Sequence, residues 1–387
     1  MDVKQLTQAY IAPTYSRTPL ELVRGKGSLV YDAQGNEYID LGSGIAVNAL
    51  GVADEAWQQA VIEQVLKLQH ASNYYYTAPQ AELAQLLCQK GGMQQVFFGN
   101  SGAEANECAI KCARKYSHDK YGEGRSTIVT LLNSFHGRTL TTLTATGQES
   151  LHAHFGPFTP GFVYVPADDL AAMEQVLKAG GVAAVMMEMI QGEGGVHVLD
   201  TAYVQAVYAL CQKLDVLLIV DEVQAGNGRT GKYFSYMHFG IQPDIVSTAK
   251  AIAGGLPMGA TLFGEKTKDV LTAGTHGSTY GGNPVCAAGG VSVVRRIDDA
   301  LMESVAEKGA YIKQALMGSP GVQAVTGMGL MLGIKVDKDA KDVVAQCRDK
   351  GVLVLTAKDK IRLLPSLNIP MELLQKAVEV LKEVLAQ

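Results

Sequence analysis

Apolar residues recur with different periods along this chain, and the changes of period divide it into three stretches. Near the start, Gly27–Asp32 and Glu37–Leu41 have the short pattern of strands, separated by a turn at Gln34-Gly35-Asn36. They predict a small β-meander. From about Trp57, helical spacing alternates with short apolar runs. Helices are expected over Ala56–Leu68, Ala81–Gln89, Ala103–Tyr116, Ala171–Ala179 and Tyr203–Leu214. Strands are expected over Gln95–Phe98, Thr127–Leu132, Ala183–Glu188, Val216–Asp221 and Asp244–Thr248. Strands separated by helices argue for a mainly parallel central sheet with helices on both faces. After roughly Val291 the texture shifts to a helix over Met302–Met317, strands near Met331–Lys335 and Val352–Leu355, and a last amphipathic helix over Met371–Leu385. The fold class is therefore α/β. Residues 47–290 form a large domain, and residues 1–46 and 291–387 combine into a smaller α+β domain. A chain of 387 residues is too long for one ordinary core, which fits this division.

Charge and composition narrow the function classes. Hydrophobic residues make up 47% and the net charge is -5, with no long basic run, so nothing points to nucleic acid or an anionic membrane. The strongest apolar runs, Val182–Met187 and Val216–Val220, are far shorter than the ~20 residues of a membrane helix. Met1–Tyr15 lacks the apolar segment of a signal peptide. Six cysteines without a CxxC pair fit a reducing, cytoplasmic setting. Cys108 and Cys112 would share a helix face and read as small buried hydrophobes, not as metal ligands.

Three segments carry chemistry. In Val216–Gln224 a buried strand ends in Asp221, at the sheet edge where open α/β folds bind ligands. An acid there can cap a helix, ligate a metal, or pair with the protonated nitrogen of a pyridine ring. In Ser247–Gly255, Lys250 stands among small and apolar residues, where desolvation would make its amine nucleophilic. In Phe97–Asn106 a strand, a glycine turn and a helix start form a phosphate cradle. Two rival motifs are also present. Gly99-Asn100-Ser101-Gly102-Ala103 nearly fits a serine-hydrolase elbow, but Ala103 replaces its last glycine. Gly226–Gly231 fits the dinucleotide pattern G-x-G-x-x-G, yet Lys232-Tyr233-Phe234 opens a helix poorly.

Together these segments resemble the class III (ω-amino acid) aminotransferases of fold type I. The likeness also takes in Thr14-Tyr15, Gly44–Asn48, Ser72–Thr77, Phe135-His136-Gly137-Arg138, Gln191–Gly195, Gly228–Gly231, His276–Thr279, Gly281–Pro284 and Ile361–Pro365. It covers nearly the whole chain in the family's order and is greatest to the acetylornithine branch. The resemblance implies pyridoxal 5'-phosphate as cofactor. Lys250 would hold it as a Schiff base and shuttle the proton, and Asp221 would pair with the ring nitrogen. Val223 and Phe135 would cover the two ring faces, Gln224 would bond the phenolic oxygen, and Glu222 is counted with the cofactor-binding residues. Gly102 and Ala103 would bind the phosphate, with Thr279 reaching it from a neighbouring subunit, so a homodimer is expected.

The resemblance also implies two carboxylate sites. Arg138, helped by Ser278 and Tyr15, would take the donor's distal carboxylate. Arg362 would take the carboxylate beside the keto carbon of 2-oxoglutarate, and Glu193 would neutralise Arg362 in the donor half-reaction. The expected reaction is ping-pong transamination of N2-acetyl-L-ornithine with 2-oxoglutarate, in arginine biosynthesis, with no metal. Succinylornithine, ornithine, 4-aminobutyrate and acylated diaminopimelate stay open as donors, and a serine hydrolase using Ser101 is the distant alternative. Departures from the family pattern are Leu50–Asp54, Met189 and Asn227, and the first bears on the donor. Ile45 stands where ornithine enzymes tend to carry a tyrosine, which favours an acylated donor. His136 is read as structural.

Overall fold

The computed structural model describes residues 1–387. Seven strands form the central sheet: β1 (Gln95–Gly99), β2 (Thr127–Leu131), β3 (Phe162–Val165), β4 (Val182–Met187), β5 (Leu217–Asp221), β6 (Ile245–Thr248) and β7 (Gly259–Phe263). Their spatial order is β1-β7-β6-β5-β4-β2-β3. All pairs are parallel except those made by β7, which runs antiparallel to β6 and β1. The sheet is thus mainly parallel, as the alternation of strand and helix predicts.

Burial explains why. Every residue of β4, β5, β6 and β7 is buried, the continuous apolar pattern of strands covered on both faces. Along β5, Leu217 and Ile219 pack with Cys108 and Cys112 of α1 (Gly102–Tyr121), whereas Leu218 and Val220 join the core that holds Val204, Val207 and Cys211 of α2 (Thr201–Leu214). Successive side chains on a strand point to opposite faces, so one strand organises two helical layers.

Two smaller sheets use the chain ends. Leu22–Lys26, Leu29–Asp32 and Glu37–Asp40 form a meander, and Val352–Leu353 joins it parallel to Glu37–Asp40. Val322–Met328, Met331–Val336, Lys360–Leu363 and Leu355–Ala357 form the other, which is antiparallel and places Arg362 opposite Gly333. No helix is long and apolar enough to cross a membrane.

Several elements escape the periodicity. Leu22–Lys26 shows no alternation because it is an edge strand whose Leu22 and Val23 both face solvent. The helix Pro284–Arg296 is masked by Gly289 and Gly290, poor helix formers that are required here by close packing. A Cβ at Gly290 would lie 2.7 Å from Leu83, and one at Gly289 would lie 2.9 Å from the Trp57 indole nitrogen.

Beyond β5 the chain turns, and Asp221 and Glu222 diverge. Glu222 is fully buried, with Oε1 accepting from Ser235 Oγ at 2.7 Å and from the Tyr236 backbone N–H at 2.9 Å. Burial pushes its carboxyl up to about 7, against the opposing hydrogen bonds. A folded-state value raised above the unfolded one gives stability that is whole at low pH and is lost as pH rises through about 7. Glu222→Gln should remove that slope, on the order of 3 kcal/mol between the usual carboxylate range and about pH 8. Urea unfolding of both proteins across this range checks it; identical slopes would refute the assignment.

Candidate active site

A parallel sheet gathers its carboxyl ends on one edge, and here that edge is the floor of a cavity of about 440 Å³. Its lining comes from the segments after β1 (Asn100–Ala103), β2 (Phe135–Arg138), β4 (Glu188 and Glu193), β5 (Asp221, Val223 and Gln224) and β6 (Ala249 and Lys250). The reversed strand β7 contributes from its start instead, with Pro257 and Met258 just before it.

Asp221 is held by three donors. Oδ2 accepts from Asn106 Nδ2 and from His136 Nδ1, each at 2.8 Å, and Oδ1 accepts from the Val223 backbone N–H at 3.0 Å. Such a carboxylate is fixed in orientation and suits a cationic N–H donor arriving from the cavity. Lys250 lines the same cavity. Its ammonium is enclosed by protein apart from the cavity, and burial lowers its pKa, although Glu193 and Asp221 oppose the shift. Its backbone is left-handed, with φ +46°, an uncommon state for a residue with a Cβ.

The phosphate cradle follows from the local sequence. Ser101 caps α1, its Oγ accepting from the Glu104 N–H at 3.2 Å, while Glu104 accepts from the Asn100 N–H at 2.8 Å. The first-turn N–H groups of Gly102 and Ala103 have no acceptor within the helix and border the cavity at its positive end. That is a site for a dianion. Phe135 and Val223 both line the cavity as apolar walls, and a Cβ at Gly102 would lie 2.8 Å from Val223 Cγ1. The residues present therefore fit pyridoxal phosphate: a dianion cradle, apolar walls, an oriented acid and a desolvated amine.

Substrate-sized charges flank the cavity. The Arg138 guanidinium lies 5.3 Å from the Phe135 ring centroid and makes no ion pair within the chain. Arg362 is 4% exposed, and its Nη1 donates to Glu193 Oε1 at 2.5 Å and to Gln224 Oε1 at 3.1 Å. Gln224 Nε2 in turn donates to Glu193 Oε1 at 3.2 Å. Burial raises the Glu193 carboxyl, but the charge and hydrogen bonds of Arg362 outweigh it and hold the group below its ordinary value. Gly192 makes this approach possible: a Cβ there would lie 2.4 Å from Gln224 Oε1.

The structure brings Lys250, Asp221, Gly102, Ala103, Phe135, Val223, Gln224, Arg138 and Glu193 to one cavity, with Arg362 bonded to two of them. Five expected residues are not among its lining: Tyr15, Ser278, Thr279, Glu222, and Arg362, which meets it through Glu193 and Gln224. Tyr15 is 74% exposed, Thr279 is exposed, and Ser278 meets the site only through Asn100, whose Nδ2 donates to its Oγ at 3.2 Å. Glu222 is a correction: the turn after β5 sends its side chain into the core beneath Ser235 and Tyr236, away from the cavity. Ser101 Oγ donates to Glu104 Oε2 at 3.0 Å, and no histidine bonds to it, so the hydrolase arrangement is not formed. Asn106 and Glu188 were missed. Glu188 had a signal, since an acid directly follows β4 as Asp221 ends β5.

The class-III aminotransferase family model matches residues 10–385. An acetylornithine aminotransferase from Haemophilus ducreyi is 51% identical over all of this chain and 98% of its own length. One from Aquifex aeolicus is 43% identical over 97% of this chain and all of its own. Among solved structures, N-acetylornithine aminotransferase from Stenotrophomonas maltophilia superposes with a TM-score of 0.86 at 35% identity, covering 99% of this chain and 98% of that one. An ornithine aminotransferase from Toxoplasma gondii reaches a TM-score of 0.94 at 31% identity, covering 99% and 93%. Matched from end to end in sequence and in fold, this chain belongs to the class III aminotransferases.

Proposed function

We propose that the protein is a pyridoxal-phosphate-dependent aminotransferase that moves the side-chain amine of N2-acetyl-L-ornithine to 2-oxoglutarate. The products are N-acetyl-L-glutamate 5-semialdehyde and L-glutamate, a step of arginine biosynthesis, and the working unit is a homodimer. The observation that carries the reading is the pair of arginines at the site: Arg138, unpaired on the Lys250 cavity, and Arg362, bonded to that cavity's Glu193 and Gln224. The names of the relatives support the choice of donor.

When bound, the pyridoxal ring supplies an electron sink for charge that develops on the substrate carbon. Asp221, its carboxylate fixed by Asn106 and His136, would pair with the ring nitrogen and favour its protonated form, and Phe135 and Val223 would supply apolar contacts to the ring. Lys250 Nζ, whose pKa burial lowers, would take the proton from the carbon that bore the amine and deliver it to the carbon on the far side of the nitrogen. Arg138 orients the donor by its distal carboxylate. While the donor is present, Glu193 satisfies Arg362, so a buried cation is not left bare. A dicarboxylate acceptor replaces Glu193 on Arg362 and thereby gains a second anchor. Thr279 and Tyr15, exposed in the single chain, complete the phosphate and substrate sites of the neighbouring subunit in this scheme.

Purified protein should show a visible absorbance band that acetylornithine bleaches and 2-oxoglutarate restores, and Lys250→Ala should lack both changes. A protein that stays colourless after pyridoxal phosphate is supplied would sink the reading; comparing kcat/KM across acetylornithine, succinylornithine, ornithine and 4-aminobutyrate then fixes the donor. Arg362→Met should raise KM for 2-oxoglutarate about 30-fold or more, the loss of one charge-assisted pair. The bleaching of the band by the donor should survive in that variant. If both half-reactions weaken alike in single-turnover measurements, Arg362 does not discriminate between them.

A further inference from the structure

Glu188 follows β4 as the strand leaves the core, and only 5% of its surface is exposed. Its two oxygens serve two different loops. Oε1 accepts from the Phe135 N–H at 2.9 Å, at the head of the segment that carries Arg138. Oε2 accepts from the Gly192 N–H at 3.3 Å, one residue before Glu193. One buried side chain thus spans the two segments that hold the donor-binding arginine and the carboxylate on Arg362. Lys250, His136 and Asp221 are its charged or titratable neighbours; burial pushes its carboxyl up to about 7, against His136 and the two N–H bonds, and those two bonds are the ones an ionised carboxylate accepts.

An ionised carboxylate accepts at both oxygens, whereas an amide of the same shape accepts at one and presents a donor at the other. In Glu188→Gln the amide oxygen would keep the shorter bond, to Phe135. Its NH2 group would then face the Gly192 N–H, donor against donor, and release that loop. Gly192 has little room to adjust, since it already lies against Gln224.

We infer that Glu188 is a positioning residue: it holds the Gly192–Glu193 loop in register with Arg362 and so sets how strictly the site separates the donor from the dicarboxylate acceptor. The inference rests on the reading of Arg362 and Glu193 proposed above. With the loop released, Glu193 covers Arg362 less well. The donor half-reaction then meets a bare buried cation, while a dicarboxylate meets less competition.

The test uses the cofactor-loaded enzyme, with each half-reaction followed by single-turnover absorbance. Binding of glutarate, which has both acceptor carboxylates and no reactive carbonyl, is measured by calorimetry. Glu188→Gln and Glu193→Gln should each lower donor kcat/KM relative to acceptor kcat/KM by about tenfold, the effect of one charged hydrogen bond, with glutarate binding kept or tightened. The double variant should match Glu193→Gln alone, because both changes act on one contact. An equal fall of both half-reactions, or a double variant equal to the product of the singles, would overturn the assignment. If Glu188→Gln does not fold, Glu188→Asp keeps the charge but is too short to span both loops. It should shift the ratio in the same direction, and an unchanged ratio overturns the inference as well. Wild-type enzyme that fails to bind glutarate would instead remove the reading of Arg362 on which Glu188 depends.

Discussion

Lys250 lines the cavity and Arg362 is bonded to that cavity's Glu193 and Gln224, and the site depends on balancing these two cations. The charge of Arg362 disfavours that of Lys250, and Glu193, Asp221 and Glu188 offset the effect. An isolated ion buried in protein is too unfavourable to persist, so the carboxylates are a condition of folding before they are instruments of chemistry. Their arrangement is unequal. Glu193 lies directly on Arg362, whereas Lys250 has no hydrogen-bonded acid and is left with a lowered pKa.

The topology makes this balance reachable from distant parts of the sequence. Strands β1, β2, β4, β5 and β6 all end on the same edge, so acids and the lysine that follow them converge without long loops. Arg362 arrives by another route, on the antiparallel sheet of the C-terminal part, and meets Gln224 and Glu193 at the margin of the central sheet. The Arg362–Glu193 contact thus ties the C-terminal antiparallel sheet to the segment that follows β4.

The central α/β layer was legible because its signals are local. Buried strands read as apolar runs, and the residues after them, Asp221 and Lys250, are conspicuous for their charge. Other features depend on contacts that a sequence does not display. Leu22–Lys26 is an edge strand without alternation, and Pro284–Arg296 carries two glycines that only the packing of Leu83 and Trp57 explains. Glu222 was misplaced because adjacency to Asp221 says nothing about which way a turn sends the next side chain. Glu188 was visible in position but not in role, since its partners are backbone N–H groups of remote loops. Thr279 and Tyr15 were recognised by pattern alone, and nothing in one chain brings them to the cavity.

The left-handed backbone at Lys250 has a consequence for how this protein can be altered. A residue with a Cβ is strained at φ +46°, and glycine would relieve that strain at the same position. Heat resistance and chemistry therefore make opposite demands on one residue. A screen that rewards thermal survival alone would drift toward discarding the amine here, so any stabilising programme for this scaffold has to select for turnover at every round.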